Sequence, residues 1–113
     1  MICQAEVWWA ELAEPNGSEP GYRRPVLVVQ GPALNRSRRR TAVCVPLTSQ
    51  LRQADDPCHV LLTAEETGLA KASVALTSQL ITLDRDDLTE LAGRLDTDRL
   101  DAVLRGIDLV LGR

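Results

Sequence analysis

The sequence predicts a mainly β fold that ends in α-helical structure, in the form of a small, strongly bent antiparallel sheet or partly open barrel with helices attached. The first two-thirds of the chain contain short apolar, β-branched segments separated by residues typical of turns. The last third changes to the spacing of amphipathic helices. Because 113 residues is the length of one ordinary domain, residues 1–113 are expected to form a single domain.

The predicted strands are bounded by residues that interrupt regular structure. The first strand is followed by a loop at residues 14–21, where an Asn-Gly pair and two prolines exclude a strand or helix. The second segment, VLVVQ, is almost wholly apolar, as expected of a central strand. A turn at Thr67-Gly68-Leu69 precedes the last segment, which forms one long strand or two strands joined at Ser78-Gln79. The predicted strands cover residues 7–12, 26–30, 41–47, 59–63 and 72–83.

The predicted helices follow from apolar residues at helical spacing. Asp84 caps a first, short helix that runs to Leu95. Asp96 or Thr97 caps a second helix, which Gly112 ends. The apolar stripe of the second helix is wide, so it is expected to lie across the sheet or to pair with another subunit, and the two arrangements are compatible. The residues at helical spacing are Leu88, Leu91, Ala92 and Leu95 in the first helix and Leu100, Val103, Leu104, Ile107, Val110 and Leu111 in the second.

The net charge of −3 conceals a division along the chain. Residues 1–53 contain seven arginines against four glutamates, whereas residues 54–113 contain six basic against twelve acidic residues. The acidic average argues against a protein whose whole surface attracts nucleic acid, but the basic half can still bind it locally. A cluster of four arginines is suited to RNA phosphates or to an acidic partner, or it is a solvated turn. These arginines are Arg36, Arg38, Arg39 and Arg40.

The residue inventory excludes several classes of protein. No apolar run approaches the roughly 20 residues that cross a bilayer, and the first twelve residues do not resemble a secretory signal, so a cytoplasmic location is expected. The single histidine, His59, excludes a two-histidine ribonuclease, and phosphate-binding glycine loops are absent from the sequence. Cys3, Cys44 and Cys58 share no CxxC spacing, and a metal site at Cys58-His59 would need further ligands. We therefore expect no metal and no cofactor.

Polar residues at strand ends form the remaining candidate site. If the second and third predicted strands pair antiparallel, the start of one lies beside the end of the other. This pairing brings Arg24 and Thr48 to the same rim of the sheet. An arginine and a hydroxyl group at such a rim could hold a phosphate.

Two blocks of the sequence are distinctive: GSEPGYRRPVLVVQ at residues 17–30, which follows the Val7-Trp8-Trp9 segment, and VPLTSQ at residues 45–50. Both resemble the MazF/PemK group of toxin endoribonucleases from toxin–antitoxin pairs, and the first block is the more specific. Thr67-Gly68-Leu69, Ser73 and the segment at residues 80–84 extend the resemblance over about residues 6–111.

The resemblance implies a compact, SH3-like barrel, a homodimer, and metal-independent cleavage of single-stranded RNA at a short sequence. It also implies an antitoxin partner with an acidic or amphipathic C-terminal segment. The family's catalytic arginine and threonine match Arg24, directly before Pro25, and Thr48. Glu19, from the GSE motif, is either the general base or the residue that orients Arg24. Arg23 adds a second guanidinium beside the expected one, so the assignment to Arg24 is a choice.

Further residues are candidates for RNA binding. Tyr22 could stack on a base, and amide and hydroxyl side chains could read base edges. Trp8 and Trp9 are interpreted as core residues. The RNA-binding candidates are Ser18, Tyr22, Arg23, Gln30, Asn35, Ser49, Gln50 and Gln79.

Two other functions remain open on the sequence alone. The CcdB toxins, which poison DNA gyrase without being enzymes, are related in fold and act through the C-terminal helix. A degenerate homologue that has lost activity and only binds an antitoxin is the other alternative. The GSE, RRP and PLTSQ motifs favour the ribonuclease, because both residues that match the catalytic pair are present.

Overall fold

The computed structural model describes residues 1–12 and 22–113, and within them seven strands form a curled antiparallel sheet. The mainly β fold with short helices and a C-terminal helix is therefore confirmed. The strands are β1 (Glu6–Leu12), β2 (Tyr22–Val28), β3 (Thr41–Thr48), β4 (Val60–Leu62), β5 (Ser73–Ala75), β6 (Ile81–Asp84) and β7 (Leu88–Arg94). The helices are α1 (Pro32–Asn35), α2 (Ala64–Thr67) and α3 (Thr97–Leu111), with 3₁₀ turns at Leu51–Asp55, Thr77–Gln79 and Arg85–Asp87.

Strand β3 is the centre of the sheet. It pairs with β2 along one edge, with Val26 opposite Pro46. Along its other edge it pairs first with β6 and then with β5, because β3 is long enough for two short partners. The order β4-β5-β3-β2-β1-β7 completes the sheet, with β6 beside β3.

The sheet buries apolar side chains on both faces. On one face, Val7, Leu27 and Val45 pack beneath α3, whose Val103 is fully buried. The other face buries a second set of apolar residues, which includes Val26, Val28, Cys44 and Leu88. Alternate residues of β2 therefore enter different cores, as the period of a strand requires.

Several sequence predictions are confirmed in this arrangement. The last predicted strand is two strands, β5 and β6, and the 3₁₀ turn at Thr77–Gln79 joins them. Helix α3 begins after Asp96, whose side chain accepts a hydrogen bond from the Arg99 amide at 2.9 Å. It ends at Gly112, which has a φ of 75°, the left-handed conformation that glycine adopts without strain.

The helix predicted from Asp84 to Leu95 is wrong. Asp84 does cap a turn, since its side chain accepts a hydrogen bond from the Asp86 amide, but only the 3₁₀ turn Arg85–Asp87 follows. Residues Leu88–Arg94 then form β7 and pair with β1. Two register shifts in this pairing disturb the alternation expected of a strand. The apolar residues of this segment are consequently spaced as in a helix, but pairing with the edge of β1 makes the segment a strand.

The described residues include no helix that is long and apolar enough to cross a membrane.

Candidate active site

A cavity of about 550 Å³ lies where β2 begins and β3 ends. Val26 is opposite Pro46 in the antiparallel register of these strands, so continuing the register by two residues would place Arg24 opposite Thr48. Both residues line the cavity, which the strand-end argument predicted. The lining consists of Trp9, Tyr22, Arg23, Arg24, Pro25, Leu47, Thr48, Ser49, Gln50, Leu69, Ala70, Lys71 and Ser73.

Arg24 supplies a cation to this cavity that no described carboxylate neutralises. Its Nε donates a hydrogen bond to the Leu47 carbonyl oxygen at 3.5 Å, which directs the side chain towards the end of β3. The remaining guanidinium N–H groups have no hydrogen-bond partner among the described residues. Arg24 can therefore offer a charged, two-pronged donor to an anion.

Thr48 supplies a hydroxyl group beside this cation. Its Oγ1 accepts a hydrogen bond from the Gln50 amide at 3.2 Å, which orients the side chain. Because the hydroxyl oxygen acts as the acceptor there, its hydrogen stays available for donation. Together Thr48 and Arg24 form a pair of donors suited to an oxyanion on phosphorus.

The structure brings most of the other predicted binding residues to the same place. Tyr22, Arg23, Ser49 and Gln50 line the cavity with the catalytic candidates. Gln79 lines a smaller adjoining cavity of about 340 Å³, which Tyr22 and Arg24 also line. Ser18 and Glu19 lie outside the described residues.

Gln30 and Asn35 do not belong to this site. Only 5% of Gln30 and 2% of Asn35 is exposed. Gln30 Nε2 donates to Asn35 Oδ1 at 3.0 Å, and Asn35 Nδ2 donates to the Gln30 carbonyl oxygen at 2.7 Å. Gln30 Oε1 also accepts a hydrogen bond from the Val43 amide. These amides tie the segment after β2 to β3, so we correct their assignment from RNA binding to structural support.

Two prominent residues of the cavity, Trp9 and Lys71, are not among those expected from the sequence. Trp9 was interpreted as core, but it is half-buried and lines the cavity. Lys71, exposed on the segment before β5, also lines the cavity and has no ion pair with a described residue. Lys71 is the single lysine of the chain, and the other basic residues are arginines. This difference was the one feature of the sequence that set Lys71 apart.

The arginine cluster at residues 36–40 lies at the far end of the β2–β3 pair from the cavity, since it connects α1 to the start of β3. Strand β3 has eight residues, so the separation is about 20 Å. Arg40 pairs with Asp86 at 2.8 Å, and both side chains are exposed. The cluster is therefore a separate basic surface.

The Cys58-His59 pair also lies apart from the cavity lining. His59 Nδ1 lies 2.9 Å from the Gln53 carbonyl oxygen, and Nε2 lies 2.7 Å from Ser78 Oγ. These contacts tie the turn before β4 to its neighbours. The described part of the chain contains no group of three or more His, Cys, Asp and Glu side chains that could hold a metal ion.

Comparison with known proteins places these features in a family context. Residues 3–111 match the family described as PemK-like, MazF-like toxin of type II toxin–antitoxin system. The chain is 39% identical to endoribonuclease MazF6 of Mycobacterium tuberculosis over 111 residues, which cover 98% of this chain and 97% of that protein. It is 34% identical to endoribonuclease EndoA of Bacillus subtilis over 111 residues, which cover 98% and 95% of the two chains.

Solved structures show the same fold. A crystal structure of MazE–MazF from Deinococcus radiodurans matches with a TM-score of 0.80 and 27% identity, covering 98% of this chain and 96% of that chain. An endoribonuclease in complex with its cognate antitoxin from a mycobacterial species matches with a TM-score of 0.79 and 21% identity, covering 99% and 96% of the two chains.

Proposed function

The chain belongs to the PemK-like, MazF-like toxin family of type II toxin–antitoxin systems, and we propose that this endoribonuclease cuts single-stranded RNA in the cavity at the ends of β2 and β3. The observation that carries the proposal is the meeting of Arg24 and Thr48 at one rim. The sequence left a gyrase poison and an inactive homologue open, but the meeting of a guanidinium and a hydroxyl group at this rim favours chemistry on a phosphodiester.

The proposed reaction needs no cofactor. The ribose 2′-OH loses its proton and attacks the adjacent phosphorus, so a 2′-O–P bond forms and the P–O5′ bond breaks. The departing O5′ takes up a proton, and the products are a 2′,3′-cyclic phosphate and a 5′-OH end. Negative charge grows on the phosphoryl oxygens in the transition state, where the Arg24 guanidinium and the Thr48 hydroxyl stabilise it.

Glu19 is our candidate for the group that removes the 2′-OH proton, because a carboxylate is a suitable base and the family resemblance assigns it to the site. The alternative role for Glu19 is to orient Arg24. Glu19→Gln separates the two roles, because an amide cannot take up the proton but its oxygen can still accept a hydrogen bond from Arg24.

We further propose that the protein acts in the cytoplasm as the toxin of a toxin–antitoxin pair, and that it inhibits translation and growth by cutting mRNA, rRNA or tRNA. Its partners are a second copy of itself and an antitoxin with an acidic or amphipathic C-terminal segment. The solved MazE–MazF relative supports an antitoxin partner. Besides the cavity, an acidic segment could bind the basic surface formed by Arg36, Arg38, Arg39 and Arg40.

The proposed function is tested by cleavage of single-stranded RNA in the presence of EDTA. Wild-type protein should cut, and Arg24→Ala or Thr48→Ala should lower the rate roughly a hundredfold to a thousandfold, because each removes one transition-state donor. Arg105→Ala and Thr97→Ala are matched controls on exposed positions of α3. Sequencing the RNA ends reveals the cut sequence and the end chemistry together. Cleavage at the wild-type rate by either site variant would contradict the assignment, and cleavage that required added Mg²⁺ would contradict the metal-independent mechanism.

A further inference from the structure

Four side chains form a row across the strands β1, β2 and β7, and two of the four line the cavity. Glu11 of β1 lies opposite Arg23 of β2, and Trp9 of β1 lies opposite Glu90 of β7. Trp9 and Glu11 are two residues apart and so share one face of β1. Trp9 and Arg23 line the cavity that holds Arg24 and Thr48.

Arg23 is held over the Trp9 ring in this row. Its guanidinium carbon lies 4.6 Å from the centroid of the Trp9 ring, a distance typical of a cation–π contact. Glu90 accepts a hydrogen bond from the Arg23 guanidinium, and Glu11 Oε1 lies 3.7 Å from Arg23 Nε. Three side chains thus restrain one guanidinium, although 42% of the Arg23 side chain remains exposed.

The charges in the row argue against Arg23 as a phosphate-binding cation. Two carboxylates surround one guanidinium, so the row of Glu11, Arg23 and Glu90 carries a net charge of −1 at neutral pH. Arg24 and Lys71, in contrast, have no ion pair with a described residue and line the same cavity. We therefore expect Arg24 and Lys71 to bind the RNA phosphates. What Arg23 can offer is its restrained, planar surface.

We propose that Arg23, held on Trp9 by Glu11 and Glu90, is a stacking platform for a nucleobase of the bound RNA strand, next to the phosphate at Arg24. This inference rests on the proposed function and deepens it. Bases of single-stranded RNA stack on guanidinium planes as well as on aromatic rings. Trp9 covers one face of the guanidinium, so the opposite face is the one accessible to a base. Arg23 is in this sense a substrate-positioning residue.

The proposal requires a planar side chain at position 23 as well as a charged one. Lysine would retain the positive charge and the ion pairs with Glu11 and Glu90, but an ammonium group has no plane on which a base can stack. Arg23→Lys therefore separates stacking from charge. Trp9→Leu removes the support beneath the guanidinium, and Trp9→Phe restores an aromatic ring there.

The test measures the affinity for an RNA oligonucleotide that carries the mapped cut sequence with a 2′-deoxy nucleotide at the cut, so that binding is separated from cleavage. Each nucleotide in turn is replaced by an abasic one. At one position next to the cut, loss of the base should weaken wild-type binding about fivefold to a hundredfold. Arg23→Lys should bind the intact oligonucleotide more weakly by a similar factor and should lose nothing further at that abasic position. Trp9→Leu should behave like Arg23→Lys, with Trp9→Phe close to wild type.

Two controls distinguish a stacking platform from a structural or purely electrostatic role. Arg113→Gln removes another exposed, ion-paired arginine and should leave binding unchanged. The dependence of affinity on salt should be the same for Arg23→Lys and wild type, whereas Lys71→Gln should reduce it.

One result would overturn the platform while leaving the proposed function intact. In that result wild type binds and cuts RNA, but each abasic replacement lowers the affinity of Arg23→Lys by the same factor as it lowers the affinity of wild type. If wild-type protein neither binds nor cuts RNA, the proposed function itself fails and the platform fails with it.

Discussion

Adjacent residues of β2 face opposite sides of the sheet, and this alternation gives two neighbouring arginines different environments. Arg24 continues the side of Val26 and Val28, whose side chains enter the core on the face away from α3. Arg23 continues the side of Leu27, which packs in the core beneath α3. Arg23 consequently meets Trp9 and two carboxylates, while Arg24 remains without an ion pair among the described residues. We propose Arg24 as the catalytic arginine because it matches the family motif. The different surroundings of the two arginines support this choice.

Replacing Gln30 with alanine tests the corrected role of this residue. The change removes the acceptor for the Val43 amide and the donor to Asn35, and a buried polar group left unpaired costs about 1–3 kcal/mol of unfolding free energy. Urea denaturation should show this loss. The rate of RNA cleavage by the folded variant should stay near that of wild type, and a selective loss of cleavage with unchanged stability would restore Gln30 to the RNA-binding residues.

The buried Cys44 thiol should resist alkylation. Burial raises the pKa of Cys44 to about 12 from its ordinary value of 9.0, which lowers the reactive thiolate fraction at pH 8 by roughly a thousandfold. In native protein treated with iodoacetamide at pH 8, mass spectrometry should find Cys44 unmodified, and unfolding in urea should expose it. Rapid alkylation of Cys44 in the native state would contradict its burial.

The raised pKa of Cys44 also makes the stability of the protein depend on pH. Between about pH 9 and pH 12 the unfolded chain loses the thiol proton while the folded protein keeps it, so the free energy of unfolding should fall as the pH rises through this range.

Helix α3 contacts the rest of the molecule closely at a glycine. A Cβ atom on Gly106 would lie 2.3 Å from the Cys58 carbonyl oxygen and 3.1 Å from Thr77 Cγ2. The glycine thus allows the helix to approach the turns before β4 and after β5. Along the same helix, Leu100, Leu104 and Ile107 pack against the core. Close approach at one position and apolar burial at the others fix the place of α3 on the sheet.

Gly106→Ala should destabilise the protein even though alanine is the better helix former. Alanine gains about 1 kcal/mol of helix propensity over glycine, but its methyl group must displace backbone, and overpacking of this kind costs about 1–3 kcal/mol. We expect a net loss of up to about 2 kcal/mol in unfolding free energy, measured by chemical denaturation. Gly31→Ala is the matched control, because among the described residues no heavy atom beyond its two chain neighbours lies within 4 Å of the added Cβ. A Gly106→Ala protein more stable than wild type would show that α3 is not held this closely.

At the scale of the whole molecule, the sheet and helix leave apolar surface uncovered. The last turn of α3 does not reach the core: the stripe residues Val110 and Leu111 are 39% and 60% exposed, and the neighbouring Leu109 is 56% exposed. The wide stripe of the sequence thus has two parts, one packed on the sheet and one exposed. Exposed apolar surface of this kind is typical of association sites, which agrees with the proposed homodimer.

Light scattering at micromolar concentration should give a mass of about 25 kDa, twice the 12.4 kDa of the chain. The proposed reason is that a second copy covers apolar surface that one copy leaves in water. A mass near 12 kDa that did not rise with concentration would contradict the homodimer, whereas the fold and the cavity would be unaffected.

The sequence by itself determined the features that depend on local patterns. Apolar runs between turn residues predicted β3 and the second half of β2, a strand that begins at Tyr22, four residues before the predicted strand 26–30. Helical spacing with caps at Asp96 and Gly112 predicted α3, and antiparallel pairing of neighbouring strands predicted that Arg24 and Thr48 meet. These features could be predicted because each rests on residues close in the chain or on strands that are consecutive in it.

The tertiary structure alone decided the features that depend on distant pairing. Residues Leu88–Arg94 form a strand because β1 offers them an edge, although their apolar spacing favours a helix. Trp9 and Lys71 meet in one cavity because the sheet curls, and Gln30 is buried because Asn35 satisfies its amide. A side chain's exposure and partners are set by segments far away in sequence, and local spacing carries no information about which of those segments will be adjacent.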